Sequence, residues 1–400
     1  ALRAALDDRY PRSVALAVRL GDALAAAGEF DEAVRRYRAA AELRPDEAPR
    51  LIPKLLAIVA GSGDSASARE TLGLLLFRQR EYAQAAEHLA QALALGDLEM
   101  AALFDLADAY LELRQADDAA EALERLLARS ANEVELVRRC ERLADLRPAA
   151  GHWACCRAQR IWGDALRRQS RFEEALARYR LALDDLPHDD AAQGFAAGLV
   201  QRLVDVAARV GPGAAADAQL ELGRAYGLAG SFEQALGAYS AAVRADRSAL
   251  PRAARGLEAL VAMAPSSLSL CLQLAELQIA LGDCDAALAA LEAARRQQPA
   301  ERGAIVEGYR RLLAALEGQG PDAALAADRP SVLAGTLYAL AEELAAAKPV
   351  EAAACLARVL AALGAAQAGR VLEHLSTLDL SAQPALGHLI AGDAHRARNE

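Results

Sequence analysis

The sequence predicts an all-α chain, an α-solenoid or superhelix of helical hairpins with extra helices inserted between some of them. Three observations carry this expectation. The composition favours helix throughout, a two-helix signature recurs along the chain, and most intervals between recurrences leave room for one further helix.

Of 400 residues, 54% are hydrophobic but only 4% are aromatic, because Ala and Leu dominate. Ala has the highest helix propensity, and Leu, Arg and Glu follow closely. β-branched residues are sparse and no long period-2 alternation marks a strand. A chain of this length would ordinarily divide into about two or three domains. Stacked repeats escape that expectation, because each unit packs only on its neighbours.

The signature is clearest in two stretches. Leu20-Gly21 is followed by Gly28, Phe30, Ala33 and Tyr37, and Leu222-Gly223 by Gly230, Phe232, Ala235 and Tyr239 at the same spacing. An amphipathic helix ends at a glycine suited to the left-handed conformation of a helix C-cap, and a second helix begins near the Phe. A small residue on the first helix is expected to meet a small residue on the second, with the aromatic residues filling the gap towards the next hairpin. Pro45, Pro187 and Pro299 are placed to end second helices.

Seven anchors carry the pattern: Leu20, Leu72, Leu106, Trp162, Leu222, Leu274 and Leu340. Each is followed by a small residue, and an Ala follows that anchor after thirteen further positions, from Ala33 to Ala353. This resembles the tetratricopeptide (TPR) family, whose 34-residue unit carries Leu-Gly, Tyr, Ala, Phe, Ala and Pro at set intervals. The resemblance implies TPR-like hairpins, with ligands lying in the groove lined by first helices.

Only the interval from Leu72 to Leu106 matches that unit. The others exceed it by one helix and a loop, so helices are expected over Arg50–Ala60, Val134–Leu146, Ala191–Arg209, Arg252–Met263 and Ala304–Leu316. A second short helix is expected around Pro321–Ala326. One inserted helix leaves three arrangements open: three-helix units, helices shared by two hairpins, or a broken and restarted superhelix. Gly61-Ser62-Gly63, Gly211-Pro212-Gly213 and Gly318-Gln319-Gly320-Pro321 mark turns. The last is taken as a subdomain boundary, giving residues 1–318 as the repeat array and residues 319–400 as degenerate repeats and a cap. The tail beyond Leu380, with Pro384, Gly387 and Gly392, is expected to fray.

The net charge of −10, from 45 basic and 55 acidic residues, speaks against a phosphate-neutralising stripe and hence nucleic-acid binding. It also speaks against an anionic membrane surface. Six scattered cysteines fit buried thiols in a reducing, cytoplasmic setting. No phosphate-binding glycine loop, nucleophile elbow or zinc-protease motif occurs, so neither enzyme activity nor a cofactor is expected. His152 with Cys155 and Cys156 lacks a fourth ligand and reads as packing rather than a metal centre.

The expected partner is therefore a protein or peptide. The resemblance transfers the groove to positions one residue beyond the small residue: Asp22, Asp108, Asp164, Arg224, Glu276 and Glu342. Around them lie a basic cluster of Arg157, Arg160, Arg167 and Arg168, and two aromatic residues, Phe104 and Tyr338. The Lys/Asn clamp of the family's chaperone-tail binders is missing from the matching positions. Two other readings stand beside a scaffold or adaptor. One is the regulatory or substrate-docking arm of a larger protease, kinase or glycosyltransferase, motivated by a chain that starts at Ala1. The other is self-assembly through exposed end repeats. The inserted helices are a further expected seat of specificity.

Overall fold

A computed structural model describes residues 13–62, 65–129, 132–146, 151–187, 190–318, 329–381 and 383–399. Among them the only regular elements are helices. The chain forms two compact units, Ala1–Ala192 and Gln193–Glu400. The boundary expected near Gly318 borders residues 319–328, which lie outside the described set, as does the short helix expected around Pro321–Ala326.

The first unit opens with a hairpin of α1 (Val14–Ala26) and α2 (Phe30–Leu43), a 3-10 turn at Pro45–Glu47, and the inserted α3 (Ala48–Ser62). A second hairpin, α4 (Ala66–Arg78) and α5 (Tyr82–Leu95), leads directly to a third, α6 (Met100–Glu112) and α7 (Ala116–Ala128). The inserted α8 (Glu133–Asp145) precedes a fourth hairpin, α9 (Gly151–Arg168) and α10 (Phe172–Asp184). The unit boundary falls within α11 (Asp190–Ala207).

The second unit continues with α12 (Pro212–Leu228) and α13 (Phe232–Ala245), then the inserted α14 (Leu250–Met263). Next come α15 (Leu268–Leu281) and α16 (Cys284–Gln297), the inserted α17 (Arg302–Gly318), and the hairpin α18 (Arg329–Leu344) and α19 (Pro349–Leu363). The unit closes with α20 (Ala365–Ser376) and α21 (Pro384–Asn399). All seven expected hairpins are present, including the most degenerate one, at Leu340. All five expected inserted helices are present too.

The turns inside six of the seven hairpins follow one rule. Gly28, Gly230 and Gly282 adopt φ of 81°, 78° and 83°. Arg80, Arg114 and Ser170 occupy the same turn position with φ of 64°, 58° and 60°, although a side chain there costs about 1–2 kcal/mol. In each of these six turns the next residue's N–H bonds back across the helix end, as Glu29 does to the Leu24 carbonyl at 2.9 Å and Arg171 to Leu166 at 3.0 Å. This satisfies a carbonyl that the ending helix leaves without a partner.

At Gly73 a Cβ would lie 3.3 Å from the Ala85 carbonyl, the small-residue approach expected, and in three other hairpins a tyrosine ring joins the contact. A Cβ added at Gly21, Gly163 or Gly223 would stand 2.6, 2.5 or 2.9 Å from the ring of Tyr37, Tyr179 or Tyr239. The aromatic ring fills the space that the glycine vacates on its own hairpin. Tyr239 serves the neighbouring element as well, because a Cβ on Gly256 of α14 would lie 2.5 Å from the same ring.

The inserted helices are part of the core. Leu51, Leu55 and Ile58 of α3 are buried in one cluster with Leu20 and Tyr37 of the first hairpin and Leu72 of the second. α3, α8, α14 and α17 each pack against both the second helix of the hairpin before them and the first helix of the hairpin after. Of the three arrangements left open, these four helices adopt the shared one.

The tail departs from expectation. Instead of fraying, residues beyond Leu380 form α21, in which Ile390 and Ala394 are buried. Pro384 sits at the helix start, where a missing N–H costs nothing. Leu386, Ile390 and Ala394 recur at four-residue spacing and bring one face onto the second unit's core.

Candidate protein-binding surface

The groove positions carried over from the family sit on first helices, and each is engaged within the chain. Tyr37 donates its hydroxyl proton to Asp22 at 2.7 Å, and the ammonium of Lys54 on α3 lies 2.5 Å from the same oxygen. Burial raises the Asp22 carboxyl, but the Lys54 and Tyr37 contacts outweigh it and hold the group below the usual range. Asp108 on α6 takes Arg139 at 2.6 Å and Arg142 at 2.8 Å, both from α8, and Arg142 also reaches Glu112. Glu276 on α15 pairs with Arg311 on α17. Asp217 on α12 pairs with Arg252 on α14 at 2.6 Å.

These contacts form a recurring device, in which a carboxylate on a first helix receives a cation from the inserted helix that follows. Exposed ion pairs of this kind contribute about 0–1 kcal/mol each. Asp108 is better placed, since it and Arg139 are only 15% and 14% exposed and two guanidiniums share the carboxylate.

The remaining site residues are engaged as well. Asp164 is buried and accepts the Tyr179 hydroxyl at 2.7 Å, with Arg160 and Arg167 at 3.7 and 3.9 Å. Arg157 at 2.8 Å and Arg160 both reach Glu124 on α7, and Arg168 donates to the Leu127 carbonyl at 2.7 Å. Burial pushes the Glu124 carboxyl up, yet Arg157 and Arg160 hold it below its ordinary value. Arg224 pairs with Glu221 at 2.8 Å, and Glu342 with Arg295 at 2.8 Å. Arg139 stacks over the Phe104 ring at 4.4 Å, and Arg370 over Tyr338 at the same distance. Trp162 is buried under the guanidinium of Arg178, 3.3 Å from the ring centroid.

The structure thus brings Phe104, Asp108, Arg139 and Arg142 together, and separately Arg157, Arg160 and Glu124. Sequence reasoning missed the inserted-helix cations Lys54, Arg139, Arg142, Arg252 and Arg311. Each lies 31 to 35 residues beyond the acid it meets, a spacing that does not by itself show which faces the two helices turn to each other.

What the inserted helices leave outside is partly apolar. Leu56 on α3 is 44% exposed, Val134 on α8 70% and Met263 on α14 50%. On α3 the outer face also carries Pro49, Pro53 and Ala57. All six cysteines are buried thiols, and burial pushes the Cys355 thiol up to about 11. Among the described residues no group of three His, Cys, Asp or Glu is arranged to hold a metal ion. No described helix is long and apolar enough to cross a membrane.

Residues 70–134 match the family model for a tetratricopeptide repeat. That segment spans the second and third hairpins, whose anchors have the family's own spacing. No curated protein is a sequence match. Among solved structures, the chain is similar to the TPR domain of P58(IPK), at 17% identity, over 76% of this chain and 98% of that one, with a TM-score of 0.21. It is also similar to the Cut9–Hcn1 complex of the APC/C, at 14% identity, over 98% and 95%, with a TM-score of 0.25. A third is the TPR2AB-domain:pHSP90 complex of yeast Sti1, at 17% identity, over 62% and 98%, with a TM-score of 0.17. Those scores carry no weight for whole-chain shape. The matched segment is similar to a tetratricopeptide repeat, and along the chain seven hairpins repeat its anchors and six repeat its turn.

Proposed function

We propose that this protein is a scaffold that binds a protein partner through the outer faces of its inserted helices. The observation that supports this reading is the device described above. First-helix positions that line the family's ligand groove are engaged by Lys54, Arg139, Arg142 and Arg311, all from inserted helices. In this reading, Asp108 and Glu276 serve recognition by holding those helices in place. Leu56, Val134 and Met263, large apolar side chains left in water, are the contact residues.

A photo-crosslinking amino acid placed at Leu56, Val134 or Met263 tests this in extract of the native host. Exposed Leu43 and Leu281, on hairpin helices, provide the controls. The expected outcome is the same protein adduct from inserted-helix positions and none from the controls. Adducts at equal yield from both sets, or no protein adduct at all, would overturn the proposal.

A further inference from the structure

Between the second and third hairpins there is no inserted helix, and there a cavity of about 180 Å³ opens between α5, α6 and α7. Pockets for small organic ligands usually span about 300–1,000 Å³, so this one suits a single side chain. Its walls are short and apolar: Ala90 and Ala94 from α5, Ala122 from α7, and Leu106 below. Tyr110 stands half-buried among them, with Asp118 and Glu121 at the rim. Burial raises the Tyr110 phenol, and the two carboxylates push it the same way, which marks the cavity as electronegative. Glu121 is paired with Arg125 at 2.9 Å. Asp118 is exposed and makes no ion pair among the described residues, so the lining carries one uncompensated negative charge.

The chain itself shows what α7 accepts. On its side facing α9, Glu124 receives Arg157 and Arg160, and the Asp117 carbonyl also receives Arg157. We infer that the cavity between α5, α6 and α7 seats one arginine side chain of a protein partner. Its aliphatic stem lies along the alanine walls, as long cationic side chains do on apolar surface. Its guanidinium reaches the Asp118 carboxylate, and the Tyr110 hydroxyl oxygen accepts a further N–H. The inference rests on the reading of the chain as a protein-binding scaffold, but it concerns a surface distinct from the inserted helices.

The test uses the full chain with ¹³C-labelled alanine methyls. The probe is the acetylated, amidated peptide Ala-Ala-Arg-Ala-Ala, compared with the same peptide carrying citrulline, which keeps the shape and loses the charge. The arginine peptide should shift the Ala90, Ala94 and Ala122 methyls saturably, and the citrulline peptide should bind at least fivefold more weakly. Asp118→Asn, an exposed substitution that spares the fold, should weaken the arginine peptide at least threefold. Shifts that never saturate, equal binding of citrulline, or indifference to Asp118→Asn would overturn the inference. If the arginine peptide fails while cross-links at Leu56, Val134 and Met263 persist, only the cavity is refuted. If both fail, the scaffold reading goes with it.

Discussion

The first five helices of one unit reappear in the other with a constant offset of 202 residues. α2 at Phe30–Leu43 becomes α13 at Phe232–Ala245, and α5 at Tyr82–Leu95 becomes α16 at Cys284–Gln297. The 3-10 turn at Pro45–Glu47 becomes Arg247–Ala249, and the starts of α4 and α15 obey the same offset. Pro49-Arg50 on α3 has its counterpart in Pro251-Arg252 on α14. The two copies nevertheless join hairpin to inserted helix in different ways. In the first, Asp22 links Tyr37 to Lys54. In the second, the position of Asp22 holds Arg224, which turns to Glu221, and the position of Lys54 holds Gly256, which admits the Tyr239 ring. At this position one backbone plan carries a polar clamp in the first copy and a ring against bare backbone in the second, where the ion pair between first and inserted helix lies elsewhere, at Asp217 and Arg252. A helix position in such a repeat therefore specifies contact distance first and chemistry second.

Exchanging the joints breaks this comparison most severely. Gly256→Lys forces a Cβ to within 2.5–2.6 Å of the Tyr239 ring, and overpacking of this kind costs about 3 kcal/mol. The reciprocal Lys54→Gly removes a half-exposed ion pair and adds a helix-interior glycine, for about 1.5 kcal/mol in all. Urea unfolding of the two variants should rank them in that order. Equal losses would mean that the two joints are equivalent after all.

The turn position offers a gentler exchange, with a gain as well as a loss. Arg80 and Gly282 are counterparts, both at positive φ. Arg80→Gly should stabilise the first unit by about 1 kcal/mol, and Gly282→Arg should destabilise the second by a similar amount. A rise in melting temperature for the first and a fall for the second, read by circular dichroism, would establish that conformational strain sets the difference. A fall for both would point instead to a contact made by Arg80.

The smallest effect concerns pH and sharpens the contrast at the third hairpin. Burial, followed by the nearby Asp108 charge, raises the half-buried Asp105 carboxyl to about 6, while Arg78 and Arg139 pull the other way. A carboxyl with a raised folded-state value penalises the fold while ionised in both states. Stability should thus rise as pH falls from about 6 towards the unfolded value near 3.8. Asp105→Asn should remove that slope and add about 1 kcal/mol at neutral pH, after allowance for solvent screening. Denaturation midpoints at pH 7 and 5 that shift equally in the variant and the parent would refute the assignment.

The hairpins were legible because their geometry leaves few choices. Gly28 must turn left-handed, Gly21 must leave room, and Tyr37 must fill it, so spacing alone exposes the unit. The inserted helices were legible as remainders once each unit was subtracted. The side-chain pairs were not. Whether Asp22 faces solvent or Lys54 depends on how α3 lies across α1, and periodicity within one helix holds no information about that crossing. Gly256 was silent for the same reason, since its role exists only beside Tyr239. The last helix was misjudged because Pro384, Gly387 and Gly392 were weighed as breakers. Pro384 falls where helices begin, and Ile390 and Ala394 supply enough burial to offset the two glycines.

Within each unit, every substantial packing partner of a helix is its neighbour or next-but-one neighbour along the chain. Among the described residues of each unit no packing between more distant helices adds to this, so cooperativity there reaches only as far as each interface passes it on. Each unit behaves as an elastic stack, with folding governed by local contacts and outer layers able to peel while inner layers stay protected. An inserted helix shared by two hairpins adds a rivet between layers. The second and third hairpins, joined without one, form the junction where the stack of the first unit should flex first under load.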